Sequence, residues 1–203
     1  MEASRFLKLV DLSRIMAFSD GIFAIAVTLL VLNLDVPELV NPSNASILEA
    51  LSGMQVHLFA YLLSFIVIGL YWVKHHEMFN YIRKYDKKLI WLNLFFLLFI
   101  SFSPFTTSLF SDYSEYMIPT VVYAVNFAIT GFILSAIWVH ATKNHKLVEK
   151  KLTDKFIQNF RLIGLVSPAV FTLSIPIAFF NPGLAHYSWF LIFIVISFMR
   201  KYL

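Results

Sequence analysis

The stretch IMAFSDGIFAIAVTLLVLNL at residues 15–34 decides the fold of this 203-residue chain. Asp20 is its one charged residue, and its length is the roughly 20 residues that an α-helix needs to cross a bilayer. It is too long for the apolar region of a signal peptide, and no small-residue cleavage pattern follows it. It therefore predicts a membrane-spanning helix that stays in the protein.

The composition of the whole chain also favours a membrane protein. Hydrophobic residues make up 59% of the sequence and charged residues 14%, and 22 residues are Phe. Soluble domains carry charge on about a quarter of their residues and seldom have this apolar share. The chain has no Cys, so disulfides and thiolate metal sites are excluded.

Six apolar stretches are long enough, or nearly so, to span a bilayer. They lie at 15–34, 56–73, 89–109, 117–139, 156–180 and 184–199. The last two are separated by Asn181-Pro182-Gly183, which predicts a tight turn and a helical hairpin. We expect an all-α membrane protein with one six-helix domain over residues 1–203.

The loop charges predict the orientation. All 16 Lys and Arg residues fall on one side of the predicted spans: Arg5, Lys8, Arg14, Lys74, Arg83, Lys84, Lys87, Lys88, Lys143, Lys146, Lys150, Lys151, Lys155, Arg161, Arg200 and Lys201. The opposite loops carry only acids: Asp35, Glu38, Glu49, Asp112 and Glu115. Because basic loops stay in the cytoplasm, both termini should be cytoplasmic. The net charge of +4 then reflects topology and contact with anionic lipids, and not nucleic-acid binding.

The first span carries two stripes of different side chains. An apolar seam with heptad spacing consists of Phe18, Ile22, Ile25, Leu29 and Leu32. Beside it runs a stripe of small residues, Ala17, Gly21, Ala24 and Thr28. Small residues let helices approach closely in lipid. The pattern fits an ordinary packing helix of a bundle, and it also fits a helix whose copies surround a common axis.

Asp20 lies inside the first span, about a turn and a half from Arg14. A carboxylate at that depth is costly unless it is paired. It projects about 140° from the seam, toward the chain's own bundle. Candidate partners are His75, His76 and Asn93, with Trp72 and Trp91 covering the cluster. We interpret the cluster as fixing the first helix in place, not as a reaction centre.

Enzymatic interpretations fit the residues poorly. The neighbours Ser19 and Asp20 point about 100° apart on a helix, so they do not form a hydrolase triad with a His. The run His75-His76-Glu77 resembles a metal-ligand set in composition, but H-E-x-x-H is absent. We expect neither an enzyme nor a metal site.

The residues around the first span resemble a known family. Arg14-Ile-Met-Ala-Phe18-Ser19-Asp20, read as R-x-x-x-F-S-D, is similar to the motif that opens the first helix of the endosomal and lysosomal potassium channels called transmembrane protein 175. Trp72-Val-Lys-His-His76, Asn93 and Ser101-Phe-Ser-Pro104 resemble the prokaryotic members in particular. The resemblance covers essentially the whole chain.

The resemblance implies a potassium-selective cation channel without cofactors. It implies a homotetramer in which the first helix of each chain lines a central pore. Carried onto this sequence, the constriction is Ile25, further apolar rings are Leu29 and Leu32, and Thr28 supports selectivity. Potassium and other monovalent cations would be the permeant ions, in a bacterial inner membrane. The residues expected to hold the helix are Arg14, Phe18, Ser19, Asp20, Trp72, His75, His76 and Asn93.

Acidic residues follow the first span. Asp35 and Glu38, just beyond the first span, should raise the cation concentration at the outer mouth.

The competing hypotheses are a proton- or cation-coupled secondary transporter and a non-conducting membrane scaffold. Transporters usually have helices broken near the midplane. Here Pro104, Pro168 and Pro176 interrupt the third and fifth spans, but the first span, which is the suspected pathway, is continuous.

Overall fold

The computed structural model describes residues 11–202, with the backbone alone after Met199. Four of the basic residues that predict the orientation are affected: Arg5 and Lys8 lie outside the described residues, and so do the side chains of Arg200 and Lys201. The structure contains six helical segments that are long and apolar enough to cross a membrane. The prediction of an all-α protein with six spans is therefore confirmed.

Within the described residues, eight α-helices form these spans and their connections. They are α1 (Leu12–Leu29), α2 (Asn44–Gly53), α3 (Gln55–Tyr81), α4 (Lys87–Asp112), α5 (Met117–Thr142), α6 (Asp154–Phe180), α7 (Pro182–Ser188) and α8 (Leu191–Tyr202). A 3-10 turn, Leu30–Asn33, extends α1, and another, Lys143–His145, follows α5. The first span is α1 with its turn, the next four are α3 to α6, and the sixth combines α7 and α8.

Some helix boundaries differ from the predicted ones. The second span continues to Tyr81, so His75 and His76 lie within α3 and not after it. Helix α2 occupies a connection in which no helix was predicted, and a reciprocal pair of hydrogen bonds between Ser43 and Ser46 caps its start. Hydropathy detects the part of a helix that lies in lipid, whereas helical structure continues into the polar flanks.

The predicted turn between the last two spans is present. The side chain of Asn181 caps α7 by accepting from the Leu184 N–H at 3.2 Å. The sixth span was predicted as continuous, but it breaks between α7 and α8. Trp189, fully buried at this break, donates from Nε1 to Ser174 Oγ at 2.8 Å. This bond joins the broken sixth span to α6.

The core of the bundle lies around α5, which packs against α4 and α6. Large aromatic side chains fill it, namely Phe110, Tyr123, Phe127, Phe171 and Trp189. At Gly131, α5 and α6 approach each other closely, because an added Cβ would lie 2.7 Å from Pro168 Cδ. The core therefore sits between α4, α5 and α6, and α1 lies to one side of it, on α3 and α4.

The two loops on the basic side are fastened together by what we call the loop clasp: Arg83, Asp86, His140, Lys146 and Glu149. Arg83 pairs with Glu149, while Asp86 accepts from His140 Nε2 at 2.9 Å and from Lys146 Nζ at 3.1 Å. Partial burial by itself would raise the pKa of Asp86. The Leu89 N–H and the bonds from His140 and Lys146 outweigh burial and lower that pKa to about 2. The clasp thus holds a carboxylate that stays ionised far into the acid range.

Candidate functional site

Helix α1 and its 3-10 turn present three faces. The first face is buried against α3 and α4 and consists of Ile15, Ser19, Phe23, Ala26 and Leu30. Their spacing of three and four residues is that of one helical stripe. This stripe is neither the apolar seam nor the small-residue stripe, so the fully buried residues of α1 belong to neither predicted stripe.

The second face is the apolar seam. Ile25 is 57% exposed and Leu32 70% exposed, and Phe18 and Leu29 are also exposed, whereas Ile22 is partly buried. The third face, the stripe of small residues, is exposed over its whole length at Ala17, Gly21, Ala24 and Thr28. Helix α1 therefore has an apolar seam and a flank of small residues that are available for contact with another molecule.

The hydroxyl of Thr28 is turned back on its own helix. Its Oγ1 donates to the carbonyl oxygens of Ala24 and Ile25, each at 2.9 Å. A hydroxyl has one proton and two lone pairs, so this arrangement uses the proton and leaves acceptor capacity on the exposed side. Oxygen lone pairs are what a partly dehydrated cation requires.

A buried polar chain connects α1 to α4 and α3. Asn93 Nδ2 donates to Ser19 Oγ at 3.0 Å, and His75 Nε2 lies 2.9 Å from Asn93 Oδ1. Ser19 in turn donates to the Ile15 carbonyl at 2.8 Å. All three side chains are buried, and the His75 ring stacks on Phe96 with centroids 5.4 Å apart. The structure brings Ser19, His75 and Asn93 together, with Asn93 between the other two.

Asp20 differs from its expected position. It is exposed at the edge of the bundle, and its Oδ1 accepts from Trp72 Nε1 at 2.9 Å; neither His nor Asn93 is its partner. One residue along a helix turns the side chain by about 100°, so Ser19 takes the inward place and Asp20 the rim. The Trp72 ring also packs near His76, with centroids 5.7 Å apart.

Trp91 and Arg14 were also expected in this network. Trp91 is 54% exposed and packs against Phe95 with centroids 6.2 Å apart, so it does not cover the cluster. Arg14, at the start of α1, is exposed. The structure thus separates the expected cluster into a buried chain and a rim pair, Asp20 with Trp72.

The other end of α1 adds contacts that the sequence analysis missed. Asn33 Nδ2 donates to the Pro104 carbonyl at 3.2 Å, and His57 Nε2 pairs with Asp112 Oδ1 at 3.1 Å. A cavity of about 220 Å³ beside them is lined by Leu32, Asn33, Asp35, Met54, His57, Ser108 and Asp112. The predicted topology places the start of the second span and the end of the third on the same side of the membrane as the end of the first span. That shared placement is the sequence signal that could have indicated these contacts. Asp35 and Glu38 are exposed here.

The arrangement is suited to packing and to ion contact more than to catalysis. Within residues 11–202, no three His, Cys, Asp or Glu side chains come close enough together to hold a metal ion. The side chains of the buried polar chain satisfy one another's hydrogen bonds, as buried polar groups must. What α1 leaves available is an apolar seam, a threonine oxygen and acids at one end.

Comparison with known proteins gives consistent matches. The family model described as endosomal/lysosomal potassium channel TMEM175 matches residues 14–104. The chain is 30% identical over 175 residues to a potassium channel of Streptomyces collinus, with 84% of each chain covered. It is 29% identical over 182 residues to a potassium channel of Chamaesiphon minutus, covering 86% of this chain and 88% of that one.

A solved structure agrees in fold. The crystal structure of a lysosomal potassium-selective channel TMEM175 homologue from Chamaesiphon minutus superposes on this chain with a TM-score of 0.77 and 28% sequence identity. The match covers 95% of this chain and 98% of that one. The likeness therefore extends over all six spans, well beyond the residues that the family model matches.

Proposed function

Because this chain belongs to the TMEM175 potassium channel family, we propose that it is a potassium-selective cation channel that conducts ions passively. The observation that carries the proposal is the exposure of four of the five residues of the apolar seam of α1, with Ile25 at 57%, while another face of the same helix is buried. Such a helix packs on its own bundle through one face and can contact other copies of the chain through another.

We propose that four copies of α1 surround the conduction path in a homotetramer. The seam residues Ile25, Leu29 and Leu32 would face the axis, with Ile25 as the constriction. The small flank supports this arrangement, because Gly21 and Ala24 let a neighbouring helix approach closely in lipid. A ring of four Ile25 side chains excludes water until it widens, and hydrophobic constrictions of this kind gate by dewetting.

Thr28 would support selectivity for potassium. It lies three residues after Ile25 and about 60° from it around the helix, on the flank beside the proposed constriction. Its proton is held by carbonyls of its own helix, which leaves its oxygen as an acceptor for a cation that has lost part of its water.

The two ends of the path would differ in charge. Asp35 and Glu38 would raise the local concentration of cations at the outer mouth. The charge asymmetry of the loops supports cytoplasmic termini. The membrane would be the inner membrane of a bacterium. The Ser19, Asn93 and His75 chain and the Asp20–Trp72 pair would hold α1 against α3 and α4 while the seam widens.

The alternatives are a coupled transporter and a scaffold that conducts nothing, and flux measurements separate them. The purified protein is reconstituted into liposomes with a potassium gradient, and empty liposomes serve as the control. A channel gives passive flux far above carrier rates, with potassium faster than sodium. Slow, saturable flux that requires a second ion would overturn the proposal in favour of a transporter, and flux equal to that of empty liposomes would favour a scaffold.

A further inference from the structure

The C-terminal end of α1 is wound more tightly than the rest of the helix, because it finishes in the 3-10 turn Leu30–Asn33. In a 3-10 helix, side chains three residues apart eclipse each other, whereas in an α-helix they differ by about 60°. The turn therefore keeps Leu32 close to the line of Leu29, within the apolar seam. It likewise keeps Asn33 close to the line of Leu30, on the buried face.

Asn33 joins this end of α1 to α4. Leu30 is fully buried, and Asn33, which is partly buried, donates from Nδ2 to the Pro104 carbonyl at 3.2 Å. A carbonyl oxygen has two lone pairs, so the Pro104 carbonyl can accept this bond without leaving its helix. At the N-terminal end of α1, the bond from Asn93 to Ser19 makes a corresponding connection to α4. Helix α1 is thus hydrogen-bonded to α4 near both of its ends.

A cavity lies beside the turn and borders both Leu32 and Asn33. Its volume is about 220 Å³, which is room for several water molecules at about 30 Å³ each. The Leu32 side chain is 70% exposed. Because Leu32 borders open space and is not enclosed by packed side chains, its position depends on how the backbone of the turn is held.

The two hydrogen bonds lie on either side of the proposed constriction. Ser19 precedes Ile25 by roughly 9 Å along the helix, and Asn33 follows it by roughly 12 Å, at a rise of 1.5 Å per residue. Between them α1 makes aromatic and apolar contacts, such as Phe23 against Phe96 with ring centroids 5.7 Å apart. Apolar contacts are non-directional, whereas a hydrogen bond requires a particular alignment of donor and acceptor. The two end bonds therefore specify the rotation of α1 about its axis.

We infer that Asn33 is a positioning residue for the proposed conduction path. Its bond to the Pro104 carbonyl holds the turn in the winding that keeps Leu32 in line with Leu29, and so sets the width of the ring that four copies of Leu32 would form. The inference rests on the proposed function, because Leu32 forms a ring only if copies of α1 surround one path.

Loss of the bond has a defined structural consequence. Without it, the turn can relax toward α-helical winding, which rotates Leu32 by about 60° relative to Leu29. The cavity gives Leu32 space to move. A wider or less regular apolar ring admits water more readily, and the barrier that it presents to ions falls.

Planar-bilayer recording tests the inference on the full chain, after size-exclusion chromatography with light scattering has measured the assembled fraction of each variant. Asn33→Leu is the main variant, because leucine has the branched shape of asparagine but no donor. Asn41→Leu is the matched control, since it makes the same change at an exposed asparagine beyond the turn. Asn33→Gln keeps an amide donor on a longer side chain.

Pulsed electron paramagnetic resonance measures the ring independently of conduction. The chain has no Cys, so Leu32→Cys provides a single site for a nitroxide label. Distances between the labels of assembled copies are recorded with Asn33 intact and in the Asn33→Leu, Asn33→Gln and Asn41→Leu backgrounds. The width of the distance distribution reports how firmly the turn is held in the folded protein, which a general loss of stability does not change.

We expect Asn33→Leu to assemble like the wild type and to broaden the distances at position 32. Its current at fixed voltage should rise by about two- to tenfold, the range that one neutral hydrogen bond supplies. Asn41→Leu should match the wild type in both measurements, and Asn33→Gln should lie closer to the wild type than Asn33→Leu does.

Two results would overturn the inference while leaving the proposed function intact. One is an Asn33→Leu protein that conducts potassium and equals Asn41→Leu in both current and distance width. The other is an Asn33→Gln protein as altered as Asn33→Leu, which would mean that the donor does not matter. A wild type that conducts no potassium would instead contradict the proposed function, and this inference with it.

Discussion

The side-chain amide of Asn93 donates to the hydroxyl of Ser19 at 3.0 Å and so joins α4 to α1. Its other end accepts from His75, which extends the connection to α3. Replacing Asn93 by Ala leaves the buried His75 Nε2 without an acceptor. We expect the free energy of unfolding to fall by about 1–3 kcal/mol, the usual cost of an unsatisfied buried polar group.

The free energy of unfolding is measured by titrating the micelle-solubilised protein with a denaturing detergent. Asn80→Ala is the control, because Asn80 is an exposed residue near the end of α3. A loss of equal size in both variants would mean that the buried chain does not hold α1 in place.

The rim pair makes a different prediction, because Trp72 donates to Asp20 through an ordinary hydrogen bond of 2.9 Å. Asp20→Asn keeps an acceptor oxygen and loses only the charge, whereas Asp20→Ala loses both. We expect Asp20→Asn to assemble like the wild type, and Asp20→Ala and Trp72→Phe to assemble less. Size-exclusion chromatography with light scattering reports the assembled fraction. If Asp20→Asn fails as badly as Asp20→Ala, the charge and not the hydrogen bond matters.

The proposed constriction predicts a gain of current. Ile25→Asn places an amide where the seam would be driest, so water enters more readily and the barrier to ions falls. In planar bilayers we expect a larger open-channel current and a lower preference for potassium over sodium. The control is Leu173→Asn, a change of the same kind at a 66% exposed residue of α6. Unaltered conductance and ion preference in Ile25→Asn would rule out Ile25 as the constriction.

Hydropathy and loop charge predicted the six spans because lipid imposes a simple rule of length and composition on each of them. The ends of the helices were harder to predict. Helix α3 runs on through His75 and His76 to Tyr81, since nothing in those polar residues opposes helical structure. Helix α2 lacks an apolar run of bilayer length, and only the Ser43–Ser46 cap marks its start.

The sequence predicted which face of α1 is exposed, but it did not predict the hydrogen-bond partners of the site residues. The heptad spacing marked Ile25 and Leu32, which the structure leaves exposed. Helical geometry predicted that Asp20 itself would face the bundle, but Asp20 lies at the rim, and Ser19, about 100° away around the helix, is the inward residue. The pairing of Asn33 with the Pro104 carbonyl depends on how α1 and α4 cross, which no spacing within either helix specifies.

Gly131 predicts a loss of stability with a clear steric cause. A Cβ there would lie 2.7 Å from Pro168 Cδ and 2.8 Å from the Tyr71 hydroxyl, so Gly131→Ala must push α5 away from α6. We expect a cost of about 1–3 kcal/mol, as for overpacked cores. Gly69→Ala, which meets nothing within 4 Å, should be neutral or stabilising by up to about 1 kcal/mol. Detergent-denaturation curves compare the two, and a Gly131→Ala protein as stable as Gly69→Ala would contradict the close approach.

The loop clasp predicts a pH dependence through Asp86. Its pKa is lowered from 3.8 to about 2, so its ionised form stabilises the folded state above pH 4, and this contribution is lost as the pH falls toward 2. Asp86→Asn should therefore lower the melting temperature at pH 7, and the difference from the wild type should shrink between pH 4 and pH 2. Asp35→Asn is the control, because Asp35 is exposed and lies outside the clasp. A difference between Asp86→Asn and wild type that stays constant across this pH range would mean that the ionised carboxylate does not stabilise the clasp.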